Sequence, residues 1–262
     1  MGYAAVNTTT EQSTPSLVGG LKETRTDKGF NIVNQMPWNM TYESVKLPNS
    51  GEVIFKAGDE PRGLYFVKSG AVKILVRKSV QRGRMSNEEF ITKIVGPGEY
   101  FGYQNLLGGS VNSTSAETAR DTELHFYSKE NIMAAMETLP VFVKGILTQA
   151  MKDIAHLEAQ AQLHYLASVQ ERIAFQIYNL SERFGEPDPR AASDTTELGS
   201  FISLKLSRNE LAQLAGTINE SLSRHLTDLK NEGIIELRGR DILVKNKAAL
   251  LERAGSMSQA HA

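Results

Sequence analysis

The sequence predicts an α+β chain: an N-terminal antiparallel β-roll, a long connecting helix and a C-terminal helical unit closed by a hairpin. Three observations predict it. Short alternating apolar runs punctuated by glycine fill Gly51 to Tyr127. From Ser128 onward the apolar spacing changes to three and four residues. Beyond Ser207 two short amphipathic stretches flank Gly216, ahead of a hairpin with Gly239 at its tip.

The 262 residues suffice for two ordinary domains, and a hydrophobic content of 40% with 23% charged residues suits packed cores. There are no cysteines, so disulfides, thiolate-held iron–sulfur clusters and cysteine-ligated zinc are excluded. No run approaches the roughly 18 apolar residues of a membrane span. Met1 to Gly20 is polar and lacks an apolar core of signal-peptide type, so the expected compartment is the cytoplasm and no membrane is expected as a partner.

Residues 1–35, rich in Thr, Ser and Gly, lack periodicity and are expected to form a flexible arm. The β-roll is expected over 36–139. Its strands read as Glu52–Lys56, Leu64–Lys68, Ala71–Val76, Glu89–Val95 and Thr122–Tyr127, separated by turns such as Ala57-Gly58-Asp59 and Gly96-Pro97-Gly98. Ser128, Ile132, Ala135 and Met136 mark a short helix. Pro140 suits the first turn of the next one.

That next helix, expected over 140–166, repeats Val143, Leu147, Ala150, Ile154, Leu157, Ala161 and His164 at steps of four and three. Such a seam over three heptads fits pairing with a second copy. The small Ala150 and Ala161 would permit close approach. Ser168-Val-Gln-Glu171 reads as a capping box opening another helix, ending near Phe184-Gly185. Glu186 to Gly199, with Pro187 and Pro189, reads as a loop.

Residues 167–262 are expected to form a winged helix-turn-helix. Ser207-Arg-Asn-Glu210 is a capping box ahead of Leu211, Ala212, Leu214 and Ala215, and Gly216 makes the tight turn. Thr217-Ile-Asn-Glu220 reads as a second box. The helix after it is expected to bury Ile218, Leu222, Leu226 and Leu229 and to end at Gly233, ahead of the hairpin Ile234–Val244. Asn219, Glu220, Ser223 and Arg224 then face outward. Arg224 can donate twice to guanine, Glu220 can accept from a cytosine amino group, and Ser223 can add a contact. Arg208, Ser221, Lys230 and Arg238 are candidates for DNA phosphates. The formal net charge is −1, but Leu204–Lys247 holds eight Lys/Arg against six acids, a mild local excess.

The chain from Gly51 to the hairpin resembles the Crp/Fnr family, that of the cyclic AMP receptor protein and the fumarate-nitrate regulator. The resemblance is carried by Gly51, Gly58-Asp59, Gly63-Leu-Tyr-Phe-Val, Gly70, Gly96-Pro-Gly-Glu-Tyr-Phe-Gly102 and the long helix. At the C-terminal end it is carried by Leu206-Ser-Arg-Asn-Glu-Leu-Ala, Gly216, Glu220-Ser-Leu-Ser-Arg224 and Gly233-Ile-Ile. It implies a jelly-roll fold of the cyclic-nucleotide-binding kind, a dimerisation helix and a winged helix. Its partners would be double-stranded DNA, a second copy of the chain and RNA polymerase. The pattern at Glu220, Ser223 and Arg224 is similar to the fumarate-nitrate branch and implies palindromic sites with TTGAT-like half-sites.

Relatives that bind nucleotide carry, in the family pattern, a Glu after Phe-Gly for the ribose and an Arg before Ser or Thr for the cyclic phosphate. Here Tyr103 follows Phe101-Gly102, and Ser113-Thr114, flanked by Asn112 and Ser115, stands where the Arg pair belongs. The nearest polar groups on the long helix are Gln160, Gln162 and His164. Effector candidates are therefore Gly102, Tyr103, Asn112, Ser113 and Thr114. The basic hairpin Arg77-Lys78…Arg82-Gly-Arg84 is either solvated surface or a reach toward an anionic effector, such as a cyclic mono- or dinucleotide, or toward DNA phosphate. No cofactor is certain and no metal is expected. Haem would need an axial ligand, and His125, His156, His164 and His225 are scattered. No HExxH, P-loop or GxSxG occurs, and Glu88 and Glu89, adjacent in a hairpin, diverge, so no enzyme is expected. The competing reading is a ligand-sensing module that reads no specific DNA.

Overall fold

The computed structural model describes residues 40–77, 89–190 and 199–255. The expected arm 1–35 and the hairpin residues Lys78, Arg82, Arg84 and Glu88 lie outside them.

The N-terminal half holds β1 (Glu43–Leu47), β2 (Val53–Phe55), β3 (Gly63–Ser69), β4 (Val72–Arg77), β5 (Glu89–Val95), β6 (Tyr100–Phe101), α1 (Tyr103–Gly108), β7 (Ser115–Thr118) and β8 (Thr122–Ser128). Two four-stranded antiparallel sheets result, ordered β1-β8-β3-β6 and β2-β7-β4-β5. Leu47, Phe55, Tyr65, Val67, Val72, Val95, Phe101, Ala116 and Leu124 fill the space between them. β3 is buried on both faces, which explains its unbroken apolar run. Tyr65 and Val67 point into the roll, while Leu64 and Phe66 point out against helices. β1 and β7 carry few apolar residues, and β6 is only two residues long, so none stands out in the sequence. They exist because β8, β3 and β4 supply the hydrogen-bonding edges they complete.

The helices follow: α2 (Lys129–Thr138), capped by Ser128, then α3 (Pro140–Leu166), with Pro140 in its first turn, and α4 (Val169–Phe184). The Ser168–Glu171 capping box forms with both its hydrogen bonds. At 27 residues α3 is the longest element, about 40 Å from end to end. Its Phe142 and Ile146 pack with Ile132 and Ala135 of α2 against the outer face of β3. Its middle is bare: Leu147, Met151, Ile154 and Leu157 are 57, 58, 46 and 59% exposed.

The C-terminal half holds β9 (Glu186–Pro187), β10 (Ser200–Ile202), α5 (Arg208–Leu214), α6 (Asn219–Asn231), β11 (Ile235–Arg238), β12 (Asp241–Val244) and α7 (Lys247–Arg253). The segment read as a loop is therefore partly a strand: Glu186 and Pro187 pair with Phe201 and Ser200. Ile173, Ile177, Leu211, Leu222, Leu226, Leu229, Ile235 and Leu250 form the core of this half. That core is continuous with the roll, because Leu75, Ile91 and Ile94 on the outer face of β4 and β5 belong to the same cluster.

Two expectations at the start of α6 are corrected. Thr217-Ile-Asn-Glu220 is not a capping box, because the helix begins at Asn219 with Ile218 in the cap position and no side-chain cap bond. Ile218, extended at φ −97° and ψ 158°, precedes the helical stripe and is 64% exposed rather than buried.

Candidate nucleic-acid interface and sensor pocket

α5 is started by its capping box, in which the Ser207 hydroxyl accepts from the Glu210 amide and the Glu210 carboxylate accepts from the Ser207 amide. Gly216, at φ +61°, turns the chain in a conformation that L side chains rarely adopt. α6 then lays Leu222, Leu226 and Leu229 into the core at helical spacing. The opposite face follows from that geometry. Asn219, Glu220, Ser223 and Arg224 are all exposed, and Ser221 is half-buried beside them. Among the described residues Glu220 and Arg224 form no ion pair with each other, so both heads are open to solvent.

The remaining cations divide. Lys230 is exposed near the end of α6. Arg208, half-buried, donates to the carbonyl of Gly239 at 2.9 Å and so ties α5 to the hairpin tip. Arg238 does not join the exposed face. Its guanidinium grips both oxygens of Asp188 at 2.6 and 2.9 Å and also bonds Glu236, and the side chain is only 16% exposed. The Asp188 partner lies 50 residues away, so no local pattern signals the pair. Arg240 is exposed next to Gly239 at the hairpin tip.

The candidate sensor pocket lies where the roll meets α3. A cavity of about 160 Å³ is lined by Phe55, Ile74, Val95, Phe101 and Leu157, with Gly102, Tyr103 and Thr114 at its polar side. Gly102 sits at φ +90° ahead of α1, with the carbonyl of Gly63 3.0 Å from where a Cβ would stand. Asn112 and Ser113 are not in the wall. Asn112 ties its loop to the β2–β3 turn by main-chain bonds to Gly58 and Asp59, both 2.8 Å. The Ser113 hydroxyl donates to Asn105 at 2.9 Å.

The polar groups on α3 that line this pocket are Asp153 and His156, not Gln160, Gln162 or His164. The Asp153 carboxylate accepts from the Tyr103 hydroxyl at 2.5 Å, from Lys93 Nζ at 2.7 Å and from Gln149 at 3.1 Å. Burial, then the bond and charge of Asp153, push the Tyr103 hydroxyl far up, so it stays a donor. Among the described residues no arginine lines the cavity. Asp153 and Lys93 are 60 residues apart, which is why the sequence did not reveal the pair.

The four histidines among the described residues do not converge. His125 stacks on Tyr42 at 4.1 Å, His156 lines the cavity, His164 ends α3 and His225 lies 3.6 Å from Asp228. Burial first, with nearby cations, holds His125 and His156 below the ordinary histidine value, so both are neutral at pH 7. Among the described residues no helix is long and apolar enough to cross a membrane.

A β-roll closed against a long helix, followed by a winged helix with an exposed polar face on α6, is the architecture of a two-module transcription regulator. Residues 48–138 match the cyclic nucleotide-binding domain, and residues 171–253 match the Crp-like helix-turn-helix domain. The chain belongs to the Crp/Fnr family of transcription regulators, which are not enzymes. It is 29% identical to the cyclic AMP receptor protein of Thermus thermophilus over 81% of this chain and 88% of that one. It is 26% identical to the fumarate and nitrate reduction regulatory protein of Escherichia coli K12, over 81% of this chain and 79% of the relative. A solved CRP/FNR-family transcriptional regulator, also from Thermus thermophilus, shares the fold at TM-score 0.64 and 24% identity, covering 82% of this chain and all of its own.

Proposed function

We propose that the chain acts as a homodimer on palindromic DNA with TTGAT-like half-sites, read by α6. The observation that carries this reading is the exposed group Asn219, Glu220, Ser223 and Arg224 above a buried leucine stripe. Residues 219/223 and 220/224 are each one turn apart, so the four heads form a patch small enough for a major groove. Arg224 reads guanine, Glu220 a cytosine amino group, and Ser223 and Asn219 add contacts. Arg208, Ser221, Lys230 and Arg240 serve phosphates. The bare stripe Leu147, Met151, Ile154 and Leu157, with Ala161, supports pairing of two α3 helices. Val143 and Ala150 are half-buried and border that seam, Ala150 also packing toward the roll. Two-fold symmetry then sets the reading helices about 34 Å apart, one turn of DNA. The protein works in the cytoplasm, with RNA polymerase as a further partner.

Cyclic AMP is not its effector in the usual way. Among the described residues the one Lys or Arg that lines the pocket is Lys93, already paired with Asp153 at 2.7 Å.

Fluorescence anisotropy at fixed salt tests the DNA reading, using a TTGAT palindrome against a duplex with scrambled half-sites. Preference for the palindrome that disappears in Arg224→Glu is expected. Equal binding of both duplexes by the wild type would leave a module without specific DNA reading. Thermal shift with cyclic AMP and with cyclic di-GMP tests the pocket, and a saturable rise with cyclic AMP would contradict the assignment.

A further inference from the structure

We infer that Arg172 is the positioning residue that fixes α6 relative to the dimer helix and so sets the half-site spacing the protein accepts. This rests on the dimeric reading above.

Arg172 lies in the first turn of α4. Its Nη1 donates to the carbonyl of Ala167 at 2.9 Å, its Nε to Ala215 at 3.1 Å and its Nη2 to Gly216 at 3.1 Å. Ala167 is the last capping residue of α3, and Ala215 is that of α5. Carbonyls at helix C-termini have no partner within their own helix and carry the negative end of the helix dipole. One planar cation therefore satisfies the ends of two helices that belong to different functional modules. Only a guanidinium does this, because its donors project in a fixed fork, whereas an ammonium is a compact point charge.

The mount is rigid. Ser168 and Glu171 cap α4 immediately before Arg172, and Ile173 and Ala174 immediately after it are fully buried. A second contact runs beside the first. The His164 ring, in the last turn of α3, lies against Gly216 so closely that a Cβ there would stand 1.9 Å from Cε1. The end of the dimer helix thus rests on the turn that launches α6, with Arg172 clasping the two.

The leverage is large. A tilt of about 10° at that turn moves a point about 20 Å away by about 3.5 Å, close to one base-pair step. The clasp is made to main-chain carbonyls and leaves the exposed side chains of α6 untouched, so it governs spacing and not base choice.

The test uses the full chain and a series of TTGAT palindromes whose central spacer changes by one base pair at a time. Wild type is expected to prefer one spacing by about tenfold over its neighbours. Arg172→Gln should reduce that preference to within about threefold, while the penalty for a changed half-site base and the dimer mass stay as in wild type. Arg172→Lys keeps the charge and the stem. It should behave like Arg172→Gln, and it supplies the result if the glutamine variant does not fold. Wild-type spacing preference in the folded lysine variant overturns the inference, as does wild type indifferent to spacing. Wild type that keeps a spacing preference but ignores half-site sequence sinks the proposed base reading alone.

Discussion

Lys73 of β4 and Glu210 of α5 are joined at 2.7 Å although 137 residues separate them, so the roll grips the first helix of the DNA-binding half directly. Glu117 of β7 completes the group at 2.5 Å, and the Lys73 side chain is only 8% exposed. Glu210 also caps α5 through Ser207, and Gln213 of the same helix accepts from the Ile91 amide at 3.1 Å. A single carboxylate thus serves both the local start of a helix and the docking of one module on the other.

Removing Lys73 leaves two carboxylates facing each other. Lys73→Ala should lower stability by about 2–4 kcal/mol, the range for broken buried pairs reduced because both glutamates are partly exposed. The effect depends on pH. Burial alone would raise the Glu210 carboxyl, but the bonds from Lys73 and Ser207 outweigh it and hold it below the usual carboxylate range. For Lys73, burial would lower the ammonium, yet the bonds and charges of Glu117 and Glu210 raise it. A depressed acid stabilises above its unfolded pKa and loses that contribution as pH falls through its folded value. A raised base loses its contribution only as pH rises through its folded value. The gap in melting temperature between wild type and Lys73→Ala should therefore be widest between about pH 5 and 9 and shrink below about pH 4. A gap that does not change on acidification would argue against the triad.

Leu147→Glu combined with Leu157→Glu should give a monomer by sedimentation equilibrium. Both side chains are more than half exposed in the single chain, so the monomer's own fold should persist by circular dichroism. Affinity for a palindrome should fall by about 100-fold or more as the second half-site contact is lost. A double variant that still sediments as a dimer would remove the α3 seam from the account.

The two faces of α6 should separate cleanly. Leu222→Ala, at a fully buried site, should cost about 2–5 kcal/mol of stability. Arg224→Ala, on the exposed face, should leave stability within about 0.5 kcal/mol and cost about 1–3 kcal/mol of base discrimination. Chemical denaturation and binding to single-base variants of the site measure the two quantities.

Gly216→Ala should destabilise by about 1–3 kcal/mol, since it places a Cβ at φ +61° and against the His164 ring. His164→Ala in the same chain should restore part of that loss, leaving the cost of the left-handed backbone. Additive effects in the double-mutant cycle would mean the ring and the turn do not press on each other.

The features legible in the chain were those whose causes lie within one helical turn or one strand. The boxes at Ser168 and Ser207, the turns at Gly216 and Gly233, and the leucines of α6 all follow from spacings of one to four residues. They were enough to place the exposed polar face of α6. The box expected at Thr217 failed because capping depends on where the chain enters the helix, and it enters one residue later, at Asn219. Two-residue strands such as β6 and β9 are too short to show a period and form where a neighbour offers an unpaired edge. Sequence alone determined the modules and their order, because periodicity and turn chemistry are local. Tertiary structure alone decided that Asp153 meets Lys93, that Arg238 is spent on Asp188 and that Arg172 clasps two helix ends. The physical reason is that hydrogen bonds and ion pairs are short-ranged in space while their partners are distant along the chain.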